Sequence, residues 1–260
     1  EKVKAFTTRP VGELKVDFNG VDALAGMSPY VNMLHTICLN ASDAKISFAA
    51  PFSTTASVKA GNLVYNDLFT LYSYDNQLYE VKMTGKEVKE YLEHSYDSWV
   101  NTLDASQEHI FKMRGFKNPR TGDQMWFFTA QASNLDTAGG LVYDVDVTKP
   151  FGERVVIRSF ADGSAFDESV EYVVAMTSYR ARGGGELMEK VGITPVVVEE
   201  RIVAVREDIR SLIDAYFAEN KVVSAETVGD KSVIGEWKFI PVAKARKALD
   251  QDMKLVAPRW

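Results

Sequence analysis

Gln77-Leu78-Tyr79-Glu80-Val81-Lys82-Met83-Thr84-Gly85-Lys86-Glu87-Val88-Lys89-Glu90-Tyr91-Leu92 holds two hydrophobic periods back to back. From Gln77 to Met83, Tyr79, Val81 and Met83 alternate with Leu78, Glu80 and Lys82, the period of a half-exposed strand. Thr84-Gly85-Lys86-Glu87 then reads as a capping box, in which the Thr hydroxyl accepts from the third residue on and Glu87 reaches back. Val88, Tyr91, Leu92, Tyr96 and Trp99 follow at steps of three and four, so a capped amphipathic helix is expected. A strand running straight into a helix sets the class as α+β, or mixed α/β.

The surrounding chain agrees. Ser28-Pro29 opens a helical pattern over 27–39, and Ala44 to Ala50 reads as a strand running into Pro51. Met125–Ala130, Leu141–Val147, Arg154–Phe160, Glu171–Met176 and Trp237–Pro241 read as further strands. Helices are expected over Glu186–Lys190 and Glu207–Ala218, with Ile209, Leu212, Ile213 and Tyr216 on one face of the second. No internal repeat or long linker interrupts the pattern. One domain is expected over 1–260, with a core from about 10 to 241 and a C-terminal tail over 242–260 lying on the surface or against a partner.

Composition narrows the function. The chain has 260 residues, 46% apolar and 25% charged, with net charge −6. That balance argues against a nucleic-acid partner, whose phosphates favour a basic face. No apolar run approaches the roughly 18 residues of a membrane span. The chain begins at Glu1, as expected of a mature form or a fragment. Cys38 is the single cysteine and is expected on a buried helix face. His35, His94 and His109 stand apart, with no ligand spacing between them, so neither a metal site nor a catalytic constellation is expected.

Two turns carry the binding chemistry. Tyr72-Ser73-Tyr74-Asp75-Asn76 and Ser178-Tyr179-Arg180-Ala181-Arg182-Gly183-Gly184-Gly185 each set a tyrosine beside polar groups. Two such rings face to face would make a slot for a flat heterocycle. The three glycines stand between a strand and a helix, either as a flexible turn or as a close backbone approach to an anion. Arg180 and Arg182 beside them favour the anion.

In order and spacing, Ala44–Ala50, Lys59–Phe69, Tyr74-Asp75-Asn76, Met83–Val88, Gly140–Asp144, Tyr172–Tyr179 with the glycine turn, and Val233–Trp237 resemble the C-terminal domain of the 5′-nucleotidase and UDP-sugar hydrolase family. The resemblance implies a layered α/β/β/α domain. It also implies that Tyr74 and Tyr179 sandwich a nucleobase whose edge meets Asn76. Arg180, Arg182, Gly183 and Gly184 complete the expected substrate site. Thr55 stands where the family carries a phosphate-binding Arg, and Gly185 where an Asp holds the ribose, so altered phosphate and ribose recognition is expected. Catalysis in this hydrolase family belongs to a metallophosphatase domain holding divalent metal ions, and its Asp-x-His, Gly-Asn-His-Glu and Gly-His-x-His signatures occur nowhere in the sequence. The expected partners are therefore a nucleoside or nucleotide and a catalytic domain or separate chain. No cofactor is expected in this chain, and the family implies a periplasmic or extracellular location. The other readings are an autonomous nucleoside- or nucleotide-binding surface or periplasmic protein without catalysis, and an enzyme with a different site.

Overall fold

The structure, a computed structural model, describes residues 6–256. Its centre is a mixed five-stranded sheet built from β1 (Ile46–Ala49), β2 (Gln77–Thr84), β5 (Thr137–Gly139), β8 (Glu171–Thr177) and β9 (Ile202–Asp208), in the order β9-β2-β8-β1-β5. Between β2 and β5 in the chain, β3 (Met113–Lys117) and β4 (Gln124–Phe128) form a separate hairpin. A second sheet orders β7 (Val155–Phe160), β6 (Leu141–Asp146) and β10 (Gly235–Ile240). The principal helices are α1 (Pro29–Asn40), α2 (Gly85–Trp99), α5 (Ile209–Asn220) and α6 (Val242–Val256), with the short α3 (Ser178–Ala181) and α4 (Leu187–Lys190) between β8 and β9. No helix among the described residues is long and apolar enough to cross a membrane.

The five-stranded sheet separates two cores. Tyr79, Val81 and Met83 of β2 pack with the Val88, Tyr91, Leu92, Tyr96 and Trp99 stripe of α2 and with Tyr143 and Trp237 of the second sheet. Leu78 faces the other way, with Met33, Leu34 and Ile37 of α1 and Ile213 and Phe217 of α5. The strand is therefore covered on both faces, and the half-exposed reading of Gln77–Met83 fails at Leu78 and Glu80. Both are buried, and Arg206 of β9 neutralises Glu80 at 2.6 Å. The capping box at Thr84 and Glu87 forms as the sequence predicts.

Two expected boundaries also change. The segment after Pro241 is a helix, not a surface tail, and its Ala245, Ala248 and Met253 enter the main core. Asp252 of the same helix, fully buried, accepts from the Phe111 N–H at 2.9 Å. Pro258, Arg259 and Trp260 lie outside the described residues. Helix α5 begins at Ile209 rather than Glu207, because Asp208 caps it through the Ser211 N–H and the preceding seven residues pair with β2.

His35 and Cys38 are core residues. Burial pushes the Cys38 thiol up to about 12. His35 is bonded on both ring nitrogens, to Ser47 Oγ at 2.8 Å and Thr137 Oγ1 at 2.9 Å, and burial pushes its pKa down to about 3. Below its ordinary value near 6.5 the unfolded chain takes a proton that the folded chain refuses. Stability from this residue is thus fully present above about pH 6.5 and lost as pH falls toward 3, at up to ~1.4 kcal/mol per pH unit. Urea unfolding of the His35→Gln variant should show a shallower decline between pH 6.5 and 4 than the parent. Equal slopes would mean that His35 binds its proton alike in the folded and unfolded chain.

Candidate functional site

The register of the central sheet gathers four separate segments at one end. β2 runs antiparallel to β8 with Leu78 opposite Thr177. The residues just before β2 (Tyr74, Asn76) therefore adjoin those just after β8 (Tyr179, Arg180). A hydrogen bond from the Gln77 N–H to Ser178 Oγ, 3.1 Å, ties the two. β1 is parallel to β8, so its exit through Ala49 and Ala50 to Phe52 leaves at the same end. β5 is antiparallel to β1, with Thr137 opposite Ala49, which brings in the loop before it, Gln131 to Asp136. Crevices outside strand carboxyl ends are the usual ligand sites of such sheets.

An open cleft lies there, lined by Phe48, Ala49, Ala50, Phe52, Tyr74, Asn76, Gln131, Ser133, Asp136, Thr177, Tyr179 and Arg180. Tyr74 and Tyr179 are each 48% exposed, unusual for rings of that size beside a packed core. Phe52 leans on Tyr74 at 5.5 Å between centroids and meets Tyr72 edge-on at 4.5 Å. The Asn76 amide donates to Tyr72 Oη at 3.0 Å, which orients it on the cleft wall.

The arginines have other duties than the sequence suggests. Arg180 is buried, and all five of its N–H groups are committed. Nε and Nη2 donate to Asp136 at 2.8 and 2.9 Å, Nη2 also to the Ser133 carbonyl at 2.6 Å, and Nη1 to the Gly184 carbonyl and Asn134. Burial opposes its charge, but the Asp136 carboxylate outweighs that and holds the guanidinium charged. Asp136 also accepts from Tyr91 Oη. The cleft's cation is thus matched inside the protein and has no donor to spare for an anion. Arg182 is not among the lining residues; it donates to Tyr79 Oη at 2.8 Å and lies 3.9 Å from Glu199.

The glycine turn likewise serves packing. A Cβ on Gly184 would lie 2.5 Å from the Tyr179 ring, and one on Gly185, which has φ +73°, would lie 2.3 Å from Arg180 Nη1 and Asn134 Oδ1. Gly183 also adopts a positive φ, +92°. The turn lies behind Tyr179 and Arg180 rather than lining the cleft. The helix after it, α4, has only four residues, too few for a strong N-terminal dipole.

A profile of the family described as 5′-nucleotidase, C-terminal domain, matches residues 10–191. The chain belongs to the 5′-nucleotidase C-terminal domain family. Over 92% of its length it is 26% identical to the trifunctional nucleotide phosphoesterase protein YfkN of Bacillus subtilis, of which it spans 17%. Over 71% of its length it is 27% identical to the 2′,3′-cyclic-nucleotide 2′-phosphodiesterase/3′-nucleotidase of Salmonella typhimurium, of which it spans 32%. In fold it resembles the 5′-nucleotidase precursor of Thermus thermophilus (TM-score 0.64, 18% identity, 92% of this chain and 41% of that one). It also resembles the NAD nucleotidase of Haemophilus influenzae (TM-score 0.61, 15% identity, 92% and 39%). The chain spans less than half the length of each of these proteins.

Within this 5′-nucleotidase C-terminal domain, Thr55 is exposed and its hydroxyl pairs with Ser53 Oγ at 3.0 Å. Among the described residues no group of three or more His, Cys, Asp or Glu side chains converges as a metal site would require. Sequence reasoning gave no role to Phe48, Phe52, Gln131, Ser133, Asp136 and Thr177. Phe48 and Thr177 lie at or next to strand ends, and Gln131, Ser133 and Asp136 stand in a loop with no periodic or glycine signal; strand pairing brings them to the two tyrosines.

Proposed function

We propose that this chain is the substrate-binding part of a nucleotide phosphohydrolase, stacking a nucleobase between Tyr74 and Tyr179. A metallophosphatase domain, in a longer protein or a separate chain, would supply the metal ions and the catalysis. The observation that carries this reading is the pair of half-exposed tyrosines on one cleft, each delivered by a different strand end. The nucleotide phosphoesterase names of the relatives support it. A periplasmic or extracellular location follows from the same family, one fold relative being named a precursor.

The cleft's charge adds a second element to the reading. With Arg180 matched by Asp136 and fully bonded, recognition rests on the base rather than the phosphate. Adenosine and AMP should therefore bind the chain with similar affinity, and raising salt should change neither strongly.

Calorimetric titration tests both elements. Tyr74→Ala and Tyr179→Ala should each weaken adenosine binding by about 1–3 kcal/mol, the usual worth of one base–aromatic stack. Tyr→Phe at either position should cost little, because the ring face carries the contact. Adenosine binding that is indifferent to both Ala variants would remove the sandwich, and AMP binding tenfold tighter than adenosine would remove the neutral-cleft argument.

A further inference from the structure

The hairpin β3–β4 has two unlike faces. On the inner face Met113 and Phe128 join the main core, and Trp126 packs against His109 at 5.7 Å. On the outer face the register sets Arg114 opposite Phe127 and Phe116 opposite Met125. Phe116 is 51% exposed, Phe127 43% and Met125 41%. Contiguous exposed apolar surface of this kind marks a contact site in a soluble domain.

The charge around this apolar face is the reverse of the whole chain's. Between Met113 and Met125 stand Arg114 on the outer face, Lys117 at the strand end on the opposite face and Arg120 in the turn, against one acid, Asp123, in a chain of net charge −6. All three cations are exposed, and their side chains have no ion-pair partner among the described residues. Neighbouring Lys112, by contrast, is already paired with Asp97 at 3.2 Å. The tip, Asn118 to Asp123, is held by the Asn118 and Gly122 N–H groups, donating to the Asp123 and Asn118 carbonyls at 2.8 Å, so the turn is closed by its own backbone.

We infer that this hairpin docks on an anionic lipid surface, with Phe116, Phe127 and Met125 entering the interface and Arg114, Lys117 and Arg120 meeting the headgroup phosphates. Apolar rings flanked by cations are the pattern that binds such surfaces, since each class of contact is marginal alone and the two add. The acidic remainder of the chain would be repelled, which fixes the hairpin as the point of approach.

Co-sedimentation of the whole chain with vesicles tests this. The chain should pellet with vesicles of phosphatidylcholine and phosphatidylglycerol in equal parts and stay in solution with pure phosphatidylcholine. Raising the salt should release it. The F116S/F127S variant and the R114S/K117S/R120S variant should each bind at least about tenfold more weakly. All these residues are exposed, so thermal unfolding should confirm that both variants remain folded. Failure of the parent chain to bind anionic vesicles, or binding that survives both variants, would overturn the inference. So would a dimer in solution that F116S/F127S converts to monomer, because a second copy would then cover the face.

Discussion

Replacing Asp136 by asparagine should lower the stability of the folded chain by roughly 3–5 kcal/mol, the usual cost of removing one partner from a buried ion pair. The Arg180 guanidinium would remain buried with its countercharge gone, and one of the two oxygens that accept from Arg180 and Tyr91 would become an NH2 donor. The damage should reach the cleft. Tyr91 stacks on the cleft residue Phe48 with centroids 4.1 Å apart and planes 5° from parallel, and Arg180 directly follows Tyr179. Urea unfolding measures the first effect and nucleoside titration the second. Replacing both partners together (Asp136→Leu with Arg180→Met) should recover much of the stability, because no unpaired charge is left. A loss below about 1 kcal/mol for Asp136→Asn would show that Arg180 finds other compensation.

Gly184→Ala should reduce nucleoside affinity by about 1–3 kcal/mol, up to the worth of the whole Tyr179 stack. Gly184 does not need a left-handed backbone; its φ is not among the positive ones. Its reason for being glycine is the ring lying across it, since an added methyl would stand 2.5 Å from Tyr179 Cε2 and Cζ. The ring is half exposed and has room to swing outward, so the fold should survive while the cleft wall moves. The two quantities separate the outcomes: affinity should fall while the melting temperature changes little. Unchanged affinity would mean that the ring accommodates the methyl in place, or that Tyr179 does not touch the ligand.

The hydrophobic periods were enough to locate most of the scaffold. Helix α2 and its capping box were legible because a three-and-four spacing with a Thr/Glu cap has no competing interpretation. β9 was not. In Ile202-Val203-Ala204-Val205-Arg206-Glu207-Asp208 the exposed positions include Val203 and Val205, so apolar residues occupy both faces and the alternation disappears. The tail was misplaced for a related reason. Helix α6 buries Ala245, Ala248, Asp252 and Met253, and its many charged residues mask that narrow stripe.

At the site, the sequence by itself determined the mixed α/β class, the family order of motifs, and Tyr74, Asn76 and Tyr179 as cleft residues, because each depends on local pattern or on motifs read in chain order. Tertiary structure alone decided what Arg180, Arg182 and the glycines do. Asp136 lies 44 residues from Arg180, and Tyr79 lies 103 residues from Arg182. A guanidinium near a glycine turn reads as an anion site until the partners that consume its donors are known. Those partners arrive through the pairing of β1, β2, β5 and β8, a long-range arrangement that local spacing does not encode.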